Sequence, residues 1–148
     1  MAHTIWTFQE ELSRRLLGWS QANLLAGAVM GRIGDDFWQG VGAQAAGWGA
    51  VNAAIALIGR RSARKRQADL PDPNDTAIAA AEGRKLRRIL LVNAGLDVLY
   101  IAGGLSLAAT KGKDDDGWRG HGYGIAGQGV WLLFFDLLMA KRVRNVKD

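Results

Sequence analysis

The chain of 148 residues contains no cysteine, two prolines and two histidines. Lacking cysteine, it can form neither a disulfide nor a thiolate metal site, and the redox compartment stays open. Both prolines, Pro71 and Pro73, fall in the acidic stretch DLPDPND, where they break any helix and leave Asn74 or Asp75 to cap the next one. The scarcest feature is local. Four segments, 16–31, 37–59, 89–110 and 120–140, contain only two of the chain's charged residues, Asp97 and Asp136. A soluble amphipathic helix needs charge on its outward face every turn or so, and these segments lack it. The mean hydropathy of −0.03 hides this segregation.

What is present is glycine (20) and tryptophan (6) in quantity, set in apolar runs of membrane-spanning length. A helix rising ~1.5 Å per residue crosses ~30 Å of hydrocarbon in about 20 residues, so four spans are expected, the first of them short. The competing reading is a soluble bundle made apolar on every side by oligomerisation. No cleavable signal peptide is expected, because Glu10, Glu11, Arg14 and Arg15 interrupt the start.

Lysine and arginine sort to alternate ends. Residues before the first span, the connection 60–88 and the tail carry 15 of the 19, while the two remaining turns carry four beside Asp35, Asp36 and Asp114 to Asp116. The positive-inside rule then places both termini and the middle connection in the cytoplasm, most simply at a bacterial inner membrane. The basic collar Arg60, Arg61, Arg64, Lys65, Arg66, Arg84, Lys85, Arg87 and Arg88 suits anionic lipid headgroups, and its membrane-flanking position disfavours nucleic acid. Residues 3–15 read either as an interfacial helix or as an extension of the first span, with Trp6 as an interfacial anchor. The run KGKDDDG lacks the alternating ligand spacing of an EF-hand and reads as a solvated loop.

Polar residues inside the spans recur at helical spacing. Span three carries Asn93, Asp97 and Tyr100 on one face, span two Gln44, Trp48 and Asn52, span four His121, Gln128 and Asp136, and span one Asn23. An ionisable group within a span must be hydrogen-bonded, protonated or turned to a water-filled cavity, which makes Asp97 the leading functional candidate. Asn23, Asn52, Asn93, Asp97, Tyr100, Gln128 and Asp136 form the expected binding cluster, in the cytoplasmic half of the bundle. Gln44, His121 and Tyr123 form a smaller outer set. The alternative use of Asn, Gln and Asp is to tie helices together through interhelical hydrogen bonds.

A repeat is also visible. Trp38, Gly40, Gly42, Gly47 and Gly49 recur eighty residues later as Trp118, Gly120, Gly122, Gly127 and Gly129, and Asn23 matches Asn93 at seventy. The expected fold is therefore an all-α, polytopic membrane four-helix bundle built as two parallel helical-hairpin repeats in a single domain.

The blocks FWQGVGAQAAGWGAVNAAIALIG, KLRRILLVNAGLDVLYIAGG and HGYGIAGQGVWLLFFD resemble a family of small bacterial membrane proteins known only as a domain of unknown function. The resemblance covers most of the chain after residue 16, and its most specific parts are Asn93, Gly95, Leu96, Asp97 and Tyr100 with Gly122, Gln128 and Asp136. It implies four spans and no particular activity.

An enzyme is the less expected reading, because no metal triad, nucleophile with base or phosphate loop is present. No cofactor is expected either, since His3 and His121 stand too far apart and at opposite membrane faces to share a metal or haem. The expected function is binding, or helping to translocate, a small polar or cationic ligand, an ion or a proton. Its alternative is a structural or accessory subunit, and a homo-oligomer or a larger membrane partner suits either.

Overall fold

The structure, a computed structural model, describes residues 4–144 and 146; His3 lies outside them. Four helices follow one another: α1 (Ile5–Ile33), α2 (Asp36–Asp69), α3 (Thr76–Ala109) and α4 (Asp116–Val143), with a 3₁₀ turn at Lys111–Lys113. Each begins on a side-chain cap. Thr4, Asp35, Asp75 and Asp115 accept from the first free backbone N–H groups, Asp75 from both Ala77 (2.9 Å) and Ile78 (3.1 Å). Asp115 and Asp116 are thereby engaged in starting α4, the first as its cap and the second paired with Arg119 at 2.6 Å.

The connection expected over 60–88 is mostly helix. α2 continues through the basic stretch to Asp69 and α3 starts at Thr76, so only 70–75, the proline-bearing turn, remains irregular. Helices α2, α3 and α4 are long and apolar enough to cross a membrane. α1 has the length but not the apolar window, because Gly18, Ser20, Gln21 and Asn23 dilute it between Arg15 and Arg32. Leu25, Ile58, Leu99 and Phe134 each stay more than 60% exposed on the bundle surface. Water would penalise such a surface, and an apolar solvent would not.

The helices pair as two hairpins, α1 with α2 and α3 with α4, joined through α2 and α4 at the centre. Missing side chains set the spacing. A Cβ built on Gly27 would meet the Gly42 carbonyl at 2.6 Å and the Ala46 backbone at 2.8 Å; one on Gly104 would meet Gly122 and Ala126 in the same way, both at 2.6 Å. Likewise Gly49 faces Ser20 and Leu24, while Gly129 faces Asp97 and Ile101. Positions 80 apart in α2 and α4 and 77 apart in α1 and α3 thus occupy corresponding places. Asn23 therefore corresponds to Tyr100, and Asn93 to Leu16. The sequence match of Asn23 with Asn93 at seventy differs from this contact offset by seven residues, two helical turns, so both alignments keep the same face.

At the end holding the 70–75 turn, α1 is one continuous helix whose first residues are buried rather than interfacial. Ile5, Trp6 and Phe8 join Ala79, Met139 and Val143 in the core, and Trp6 Nε1 donates to the Pro73 carbonyl at 2.8 Å. Glu10 pairs with Arg60 and with Arg64 (2.9 Å), and Glu11 with Arg15 (2.6 Å) and Arg142 (3.3 Å). The Arg60 hydrogen bond, followed by Arg64, holds the Glu10 carboxyl below the usual range, and Arg15, followed by Arg142, does the same for Glu11.

Candidate functional site

Between α2 and α3 the bundle is open. Among the described residues these helices nowhere bring Cα atoms within 8 Å of each other, and a cavity of about 420 Å³ fills the gap. Its walls are Val51, Ile55, Ile89 and Leu96, with Leu16, Leu132 and Phe135 behind them. Trp48 and Tyr100 bridge it at one end, rings edge-on with centroids 4.9 Å apart.

Five of the seven expected site residues line this cavity: Asn52, Asn93, Asp97, Tyr100 and Asp136. Asp97 and Asn52 are both 3% exposed and Asp136 is 5% exposed. Asp97 from α3 and Asp136 from α4 stand beside each other on the cavity wall. Asp97 Oδ2 is enclosed with no N–H donor to meet it, and Asn52 Nδ2 is enclosed with no acceptor. Two neighbouring buried carboxylates repel, so sharing a proton or a cation relieves the pair. Gly129 presses against the Asp97 backbone, with a built Cβ 3.0 Å from the carbonyl, which fixes the depth of that side chain in the bundle.

Asn23 and Gln128 lie elsewhere. Gln128 Nε2 donates to Asn23 Oδ1, Trp19 Nε1 donates to Gln128 Oε1 at 3.3 Å, and Asn23 Nδ2 donates to the Trp19 carbonyl at 2.9 Å. These groups satisfy one another on the α1/α4 side and do not line the cavity. In the outer set, Gln44 Nε2 meets His121 Nδ1 at 3.0 Å, whereas Tyr123 is half exposed and packs against Phe37.

The sequence model of one family, described as "Family of unknown function (DUF6992)", matches residues 15–137. The chain belongs to DUF6992. No curated protein and no solved structure matches it. The DUF6992 match spans every expected site residue, ending one position after Asp136. It begins after Gln9 and Ser13, two cavity-lining residues that sequence reasoning missed. Arg66 and Lys85 also line the cavity, at the end nearest the 70–75 turn. Their sequence signal was confounded with that of the whole basic collar. Of that collar, Arg60, Arg64 and Arg66 pair with Glu10 or Glu82, and the other six have no carboxylate partner among the described residues.

Proposed function

We propose that this chain is a membrane protein whose α2/α3 crevice binds a small cation with an apolar body, held by Asp97 and Asp136. The observation that carries the reading is the Asp97–Asp136 pair, with Asp97 Oδ2 enclosed and met by no N–H donor, in the middle of the crevice, where aliphatic and aromatic side chains surround it beside Asn52 and Asn93. A cation supplies what the pair lacks. Asn52 and Asn93 orient it, and the Trp48 and Tyr100 rings suit a positive charge with hydrocarbon around it. The opening between α2 and α3 gives lateral access from the bilayer. Passage of such a cation, or of a proton alone, uses the same carboxyl pair.

The termini and the 70–75 turn are read as cytoplasmic from the lysine and arginine distribution, and α1 as a fourth, shorter span. Matched glycine contacts support duplication of an ancestral hairpin. The test is titration of the protein in neutral maltoside micelles with tetraphenylphosphonium or benzyltrimethylammonium, read by tryptophan fluorescence. Asp97→Asn and Asp136→Asn are expected to weaken binding at least tenfold, with Asn52→Leu as a milder variant. Unchanged affinity in Asp97→Asn with a lower melting temperature would sink the reading and leave Asp97 a helix tie.

One observation favours a scaffold role for part of the cluster. Asn23, Gln128 and Trp19 hydrogen-bond one another and do not line the α2/α3 crevice, so they tie α1 to α4.

A further inference from the structure

The end of the crevice nearest the 70–75 turn has the opposite polarity to its middle. Gln9, from α1, is 8% exposed, and its Nε2 is enclosed without an acceptor while Oε1 takes an N–H of Arg66 at 3.4 Å. Arg66, from α2, pairs through the same terminal nitrogen with Glu82 at 3.2 Å, and its Nε is enclosed and unsatisfied. Lys85, from α3, lines the same end of the cavity without a carboxylate partner among the described residues. Three helices thus bring an amide donor, a guanidinium donor and an ammonium to one place, offset by a single carboxylate. Ser13 and Ser62 add hydroxyls to the same wall.

Buried N–H groups without acceptors are costly, and two of them beside a surplus of positive charge define what is missing: an anion with several acceptor oxygens. From this convergence we infer that the Gln9–Arg66–Lys85 end of the crevice is a binding site for a phosphate group. Guanidinium and amide N–H groups converging from different helices match the divergent oxygens of a phosphate better than the two coplanar oxygens of a carboxylate. The site is separate from the carboxyl pair, because Lys85 and Asp97 stand twelve residues apart on α3, about 18 Å at ~1.5 Å per residue. Its phosphate has two sources, the headgroup of an anionic lipid entering between α2 and α3, or free phosphate from the aqueous side.

The experiment uses the full chain in neutral maltoside micelles and follows the thermal midpoint during titration, at matched ionic strength, with inorganic phosphate in one arm and phosphatidylglycerol in the other. Stabilisation by at least one is expected. Gln9→Leu and Lys85→Gln are each expected to raise the half-saturating concentration roughly tenfold or more, the effect of losing one hydrogen bond to a charged group. Lys85 is exposed, so its variant keeps the fold if Gln9→Leu does not. A response to phosphate identifies the free anion, and a response to the lipid alone identifies the headgroup. Failure of both to stabilise the protein, or equal stabilisation of wild type and both variants, overturns the inference. Asp97→Asn is expected to leave the phosphate response unchanged, so that failure of the cation reading and failure of this one are told apart.

Discussion

Trp19 of α1 and Trp131 of α4 stack face to face, with ring centroids 4.0 Å apart and planes within 4°. Their corresponding positions in the other hairpin pairing are Leu96 and Val51, which line the open crevice. The two indoles bridge α1 and α4, whereas α2 and α3 stay apart. Asp97 and Asp136 correspond to Ser20 and Ala56, which are buried and need no outside partner, since the Ser20 hydroxyl donates to the Leu16 carbonyl at 2.8 Å. The carboxyl pair lies on the side that is open.

Replacing Trp131 by valine should cost about 1–3 kcal/mol, less than a fully enclosed tryptophan because Trp131 is only half buried. Trp131→Phe, which keeps a stacking ring against Trp19 and Phe135, should lose clearly less. Thermal unfolding in micelles measures both, and equal losses would show that the stack is incidental to closing this side.

The Asn23–Gln128 bond should behave as a self-contained tie. Asn23→Leu or Gln128→Leu alone leaves a buried amide without its partner and should destabilise by ~1–2 kcal/mol, whereas the double variant should recover part of the loss. Strict additivity of the two losses would mean the side chains do not interact.

Gly104→Ala should destabilise by ~1–3 kcal/mol, because its Cβ would lie 2.6 Å from the backbone of Ala126 and Gly122. Gly103, its neighbour, has nothing within 4 Å, so Gly103→Ala should be neutral or stabilising by up to about 1 kcal/mol, the helix-propensity gain. Comparing the two melting temperatures separates packing from propensity.

Stability should also fall in acid through Glu10 and Glu11. Their folded carboxyls sit below the usual value of 4.5, so their ion pairs contribute fully above that value and are lost as the pH drops through the folded values. Glu10→Gln and Glu11→Gln should each flatten the acid limb of a plot of melting temperature against pH. The effect should stay below about 1 kcal/mol for Glu10, whose pairs are exposed. An unchanged acid limb in both variants would place the acid sensitivity elsewhere.

By itself the sequence determined the helical class and the membrane-like runs, because charge segregation is a one-dimensional property that segments 37–59, 89–110 and 120–140 carry in plain view. A cap at Asn74 or Asp75 was legible for the same reason, since caps act within one turn, and Asp75 is the one that caps α3. The face of α3 carrying Asn93, Asp97 and Tyr100 followed from helical periodicity alone. Which neighbour each face meets did not. Asn23 and Gln128 share the composition and spacing of the cavity residues, and only the tertiary arrangement sends them to each other and leaves Asp97 and Asn52 without N–H or acceptor partners. Gln9, Arg66 and Lys85 stand far apart in the chain and were indistinguishable from other surface polar residues until three helices brought them together. Periodicity fixes the side of a helix on which a residue lies. Helix pairing, set here by glycines that let α1 approach α2 and α3 approach α4 while α2 and α3 stay apart, decides whether that side meets a partner or an opening.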